Sequence, residues 1–168
     1  NKRILIATGG TGGHINPALG TAGYIKEKNP SAENGFVGTA DKMEAKLVPQ
    51  AGYELRTIEI SGFWRSFSPE AIKHNLGTLR KLLKSSSQAK KIIKDFKPDL
   101  VIGFGGYVSG PVLRMAAKMG IPTAIHEQNA FPGVTNKALA GQVDRVMLTA
   151  VQAEKHINAK NPCVLTGL

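Results

Sequence analysis

Two glycine-rich stretches hold the residues best suited to chemistry. The first, Gly9-Gly10-Thr11-Gly12-Gly13-His14, follows a short apolar run at residues 2–8 and precedes a segment with helical spacing, residues 17–28. Glycines without a Cβ let backbone amides come close to a ligand, and a helix's first turn leaves N–H groups unpaired at the positive end of its dipole. A phosphate or pyrophosphate suits such a place. The stretch is not a Walker loop, because no Gly-Lys-Ser/Thr follows, and the acidic residue that a ribose-binding dinucleotide site needs after the second strand is missing. The second stretch, Gly103-Phe104-Gly105-Gly106-Tyr107-Val108-Ser109-Gly110-Pro111, has the same build, with Ser109 positioned as a helix cap and Pro111 where a first turn tolerates proline. Such glycines can also do no more than turn the chain. Two loops on one sheet edge favour anion binding.

Other reactive side chains lie around these loops. His14 ends the first loop, where an imidazole can exchange a proton near neutral pH. Glu127 stands just beyond a predicted strand at 122–126, and nearby Asn129 brings two donors and an acceptor. Thr11 and Tyr107 can add hydroxyl donors to phosphate oxygens. His126 reads as a structural residue at a strand end, and His74 and His156 fall on predicted helix surfaces with no motif.

The elements that must position these residues alternate between strand and helix. Strands are expected at 2–8, 35–38, 55–60, 99–103, 122–126, 145–148 and 163–165. Helices are expected at 17–28, at 41–48 with Asp41 as N-cap, at 69–95, 109–119, 135–140 and 150–158. This pattern predicts an α/β, doubly wound, Rossmann-like and mostly parallel sheet of about seven strands, with helices on both faces. Ligands then collect at the carboxyl ends of the strands, where both glycine loops open.

The 168 residues suffice for one domain. No apolar run approaches the roughly 18 residues that span a bilayer, and no signal-peptide pattern is visible. Cys163 is the single cysteine, which fits a reducing compartment. The 22 Lys plus Arg exceed the 12 Asp plus Glu, a net +10, so the partner is expected to be anionic: nucleic acid, an acidic membrane surface or a phosphorylated ligand. A nucleic-acid-binding module is disfavoured by the lack of a recognised motif or an aromatic ladder. A stand-alone nucleotide-sugar binder would need all its donor contacts within this chain.

Four motifs, in order, make the chain resemble a known family. Gly9 to His14 with Pro17-Ala18-Leu19, Gly38-Thr39-Ala40-Asp41-Lys42-Met43-Glu44, Gly105 to Pro111, and His126-Glu127-Gln128-Asn129 are similar to the motifs of the MurG family of peptidoglycan N-acetylglucosaminyltransferases. The resemblance runs over essentially the whole chain. It implies residues 1–168 as the amino-terminal, acceptor-binding half of a GT-B enzyme of family 28, without the carboxy-terminal donor-binding domain. The implied reaction inverts the sugar and needs no metal or cofactor. It moves N-acetylglucosamine from UDP-N-acetylglucosamine to lipid I, making lipid II at the cytoplasmic face of the membrane. No nucleic acid is expected as partner. The resemblance also implies that Thr11, Gly12, Gly13, Gly105, Gly106, Tyr107, Ser109 and Asn129 hold the acceptor's pyrophosphate and sugar. Thr11, Gly13, His14 and Asn129 would touch the donor. A base must take the proton of the attacking hydroxyl, and His14 and Glu127 are the two candidates.

Phe63-Trp64-Arg65-Ser66-Phe67 precedes a basic segment, residues 69–95, with apolar residues at helical spacing. Leu79, Leu82, Leu83, Ile92 and Ile93 are expected to pack on the sheet. Phe63, Trp64, Phe67, Ile72 and Leu76, with Lys73 and Arg80, are expected to form a patch that docks on the anionic inner-membrane surface.

Overall fold

The computed structural model describes residues 1–60 and 68–168. Seven parallel strands form one sheet in the order β3-β2-β1-β4-β5-β6-β7. They are β1 (Arg3–Ala7), β2 (Glu33–Gly38), β3 (Glu54–Thr57), β4 (Leu100–Gly103), β5 (Thr123–Glu127), β6 (Arg145–Leu148) and β7 (Val164–Leu165). Five α-helices connect them: α1 (Gly12–Lys28), α2 (Glu44–Gln50), α3 (Pro69–Phe96), α4 (Ser109–Lys118) and α5 (Val134–Leu139). A 3₁₀ helix, Val151–His156, stands where the sequence suggested a longer α-helix.

Successive residues of a strand point to opposite faces, and a parallel sheet must be covered on both. Leu5 and Ala7 enter a core with Ile93, Phe96, Val112 and Leu113 of α3 and α4. Ile4 and Ile6 enter a second core with Ala18, Ala22 and Val48 of α1 and α2. The doubly wound reading therefore holds, down to the strand count.

Of the boundaries that differ from the sequence reading, three bear on the site. Helix α1 begins at Gly12, more than a turn before Pro17, so the end of the glycine loop is itself the helix's first turn. Glycine's low helix propensity masks this start in the sequence. Helix α2 begins at Glu44, with Met43 rather than Asp41 at the cap position and no side-chain cap. Strand β3 ends at Thr57, three residues before the expected end. Helix α3 starts where its signals place it: Ser68 Oγ accepts the Ala71 N–H at 3.1 Å and Pro69 follows the cap.

Candidate functional site

The chain leaves β1, builds β2 and β3 on one side, then returns through α3 to place β4 on the other side of β1. Ala7 lies beside Gly103, so the loops that leave these two strands emerge next to each other at the point where the winding reverses. They also touch. A Cβ at Gly106 would lie 2.6 Å from the Gly9 carbonyl oxygen, and Gly106 has φ +81. Only glycine satisfies both conditions.

The first loop turns at Gly10, with φ +92, whose N–H donates to Glu44 Oε2 at 3.0 Å. Thr11 follows in an extended conformation at the cap position, and its side chain makes no capping bond. The Thr11 carbonyl accepts the N–H groups of His14 and Ile15, each at 3.1 Å. The N–H groups of Gly12 and Gly13 are left without a helical partner, as every first turn requires. Thr11 and Gly13 are exposed.

His14 leans on the second loop. A Cβ at Gly105 would come within 2.9 Å of its ring. Its Nδ1 lies 3.2 Å from the Gly9 carbonyl oxygen and 3.4 Å from Thr11 Oγ1. A carbonyl can only accept, so the neutral ring carries its proton on Nδ1 and keeps a lone pair on Nε2.

The second loop is closed on itself. Ser109 is fully buried; its Oγ accepts the Gly105 N–H at 3.2 Å and reaches the Gly105 and Ala7 carbonyls at 3.0 and 3.3 Å. Val108, not Ser109, holds the cap position of α4. One expectation is corrected here: Ser109 does not cap the helix, and its hydroxyl is engaged within the loop. Tyr107 is exposed at the loop's tip.

A cleft of about 300 Å³ lies between these loops and the neighbouring segment after β2, and His14, Thr11 and Tyr107 line it. The structure adds two cations that the sequence reading missed, Lys42 after β2 and Lys81 on α3. Sequence spacing could not join them to the loops, because α3 reaches this edge only through the crossover.

Glu127 and Asn129 sit one strand further along, at the end of β5. Glu127 is buried, and its two oxygens take four donors. Oε1 accepts from the Asn129 N–H and Nδ2 at 3.0 and 3.3 Å, and Oε2 from the Gly133 N–H and Asn136 Nδ2, both at 3.0 Å. The geometry is that of a carboxylate that shapes the loop carrying exposed Asn129. His126 has the structural place expected of it, with Nε2 2.9 Å from the Gly167 carbonyl and Nδ1 3.1 Å from Gln128 Nε2.

Residues 4–148 match the glycosyltransferase family 28 N-terminal domain. The chain belongs to this family. It is 53% identical over 165 residues to the UDP-N-acetylglucosamine–N-acetylmuramyl-(pentapeptide) pyrophosphoryl-undecaprenol N-acetylglucosamine transferase of Ruminiclostridium cellulolyticum, a match covering 98% of this chain and 44% of that protein. The transferase of the same name from Alkaliphilus metalliredigens is 49% identical over the same shares. Among solved structures, MurG of Acinetobacter baumannii superposes with a TM-score of 0.80 at 29% identity, over 99% of this chain and 46% of that one. A Streptomyces glycosyltransferase, SsfS6, shares the fold alone, with a TM-score of 0.60 at 17% identity over 88% of this chain and 50% of that one. The chain thus spans less than half the length of the relatives it matches.

In this family 28 domain, α3 carries an unexpected face. Leu79 and Leu83, expected against the sheet, are 47% and 70% exposed, and Leu82 is half-buried. The buried line along the helix is made largely of small residues instead, Ala71, Thr78, Ser85 and Ala89, and α3 packs against α4. Ile92 and Ile93 do join the core. Ile72, Leu76, Leu79 and Leu83 therefore form one exposed apolar stripe, among exposed Lys73, Arg80 and Lys84. Lys81 lines the cleft from a different face of α3 than the one that carries the stripe. Phe63, Trp64 and Phe67 lie outside the described residues. Among the described residues no helix is long and apolar enough to cross a membrane.

Proposed function

We propose that this chain is the acceptor-binding and membrane-docking part of an inverting N-acetylglucosaminyltransferase. Its acceptor is undecaprenyl-pyrophosphoryl-N-acetylmuramyl-pentapeptide, lipid I, and its donor is UDP-N-acetylglucosamine. The observation that carries this reading is the first loop: two unpaired N–H groups at the start of a 17-residue helix, at the sheet's switch point, with an imidazole one residue on. The names of the relatives supply the substrates.

In this reading the Gly12 and Gly13 N–H groups hold the acceptor's pyrophosphate, with the Thr11 and Tyr107 hydroxyls and the cations Lys42 and Lys81 around it. Gly105 and Gly106 form the wall on which His14 rests. Nε2 of His14 takes the proton from the acceptor hydroxyl as its oxygen bonds to the donor's anomeric carbon and UDP leaves from the opposite face. The Gly9 carbonyl on Nδ1–H holds the ring in the tautomer this step needs. Glu127 acts through the loop it shapes and so aims Asn129 at a sugar. The remaining donor contacts belong to sequence beyond the matched half of the relatives.

The α3 stripe serves the lipid. Leucines in the headgroup zone, with each neighbouring lysine or arginine contributing about 1 kcal/mol on an anionic surface, hold the cleft at the level of a polyprenyl-linked head. In this reading the protein sits peripherally at the cytoplasmic face of the membrane.

The test is a transfer assay on the full-length protein containing this chain, with UDP-N-acetylglucosamine and a soluble lipid I analogue. The reading expects UDP release and a disaccharide product, while residues 1–168 alone give neither. Turnover by residues 1–168 alone, or release of UDP that does not depend on the acceptor, contradicts it.

A further inference from the structure

Glu44 is a buried acid to which the mechanism above gives no task. It is fully buried at the start of α2, and among the described residues no cation pairs with it. Its Oε2 accepts the Gly10 N–H at 3.0 Å, and its Oε1 accepts the Thr39 N–H and the Thr39 hydroxyl, both at 2.8 Å. The side chain fits only because two neighbours are glycines. A Cβ on Gly9 would lie 2.4 Å from Oε1, and a Cβ on Gly38 would lie 2.4 Å from Cγ. One carboxylate thus ties the loop after β1 to the loop after β2, through the residue with φ +92 that precedes the cap of α1.

We propose that Glu44 is a positioning residue that clamps the first glycine loop in its anion-receiving form; this rests on the reading of that loop as a pyrophosphate seat. Fixing Gly10 fixes the direction in which the N–H groups of Gly12 and Gly13 leave the backbone. The acid has two opposed effects on an anion there. Its charge repels the ligand, and its hydrogen bonds aim the donors.

The exchange Glu44→Gln separates the two by sign. It removes the charge at constant size, but it leaves one acceptor oxygen for three donors and sets an NH₂ group against a backbone N–H. If the charge dominates, pyrophosphate binds more tightly. The clamp requires weaker binding.

The experiment is calorimetric titration of inorganic pyrophosphate into this chain and three variants, each melted alongside. Glu44→Gln is expected to bind about tenfold more weakly or worse, from the loss of a hydrogen bond to a charged group. Thr39→Val, which removes only the hydroxyl donor, is expected to lose about threefold. Asn34→Ala, which loses the bond from Nδ2 to the Ala22 carbonyl at the far end of β2, should lower the melting point without changing affinity. Unchanged or tighter binding by folded Glu44→Gln overturns the clamp. Should that variant fail to fold, unchanged affinity in folded Thr39→Val overturns it equally. A parent chain that binds no pyrophosphate refutes the reading of the loop, and the clamp with it.

Discussion

The two glycine loops look alike in sequence, yet they differ in what they pack against. In the first, Glu44 takes the Gly10 N–H, and beyond Thr11 the N–H groups of Gly12 and Gly13 start a helix with no side-chain cap. In the second, the Ser109 hydroxyl fills the turn and satisfies Gly105 from inside. Both helices start without a side-chain cap, but Gly105 and Gly106 of the second loop pack against His14 and Gly9 and so form a wall. Similar glycine spacing therefore does not mean similar work. What decides is what each loop is already packed against.

The largest expected effect is on proton transfer. His14→Ala in the full-length protein should lower kcat by roughly 10²–10⁴ while the fold is kept. A loss confined to acceptor KM would make His14 a binding residue and leave both loops without chemistry.

Next comes the contrast between the loops' glycines. Gly106→Ala forces a Cβ to 2.6 Å from the Gly9 oxygen at a φ of +81, so it should cost about 2–4 kcal/mol in thermal or urea melts. Gly13→Ala meets nothing closer than Thr11 Oγ1 at 3.6 Å and lies in a helix, so stability should hold or rise by up to about 1 kcal/mol. Its acceptor KM should rise nonetheless. If both variants melt alike, the division between donor loop and wall fails.

Ser109→Ala should destabilise by about 1–2 kcal/mol, since it leaves the Gly105 N–H unpaired in a buried turn. Its effect on acceptor KM should stay within about twofold once folding is corrected for, and a larger shift would make the second loop a donor after all.

The smallest effect concerns the surface alone. Changing Leu79 and Leu83 together to serine should leave the melting point nearly unchanged, because both side chains face solvent. Sedimentation with vesicles that contain acidic lipid should then fall severalfold. Undiminished binding would place the membrane contact elsewhere.

The fold was legible because buried parallel strands read as short apolar runs and the connecting helices as periodic ones. Both glycine loops and His14 were legible for a local reason: the chemistry of a strand-to-helix turn lies in adjacent residues. Glu44 was not, since its partners Gly10 and Thr39 come from two different turns and only the sheet joins them. The face of α3 was misread because leucines usually mark the buried side, whereas here Ala71, Thr78 and Ser85 do. Lys81 reaches the cleft along the same helix, and nothing in its local sequence distinguishes it from Lys84, which pairs with Glu59 at 2.8 Å.

The central claim is that the first loop alone supplies the anion's backbone donors. It is tested most directly by titrating isotope-labelled protein with inorganic pyrophosphate while following the amide resonances of both loops. The account predicts saturable shifts at Gly12 and Gly13 well above those at Gly105 and Gly106. Equal shifts in the two loops, or shifts confined to surface lysines, would contradict it.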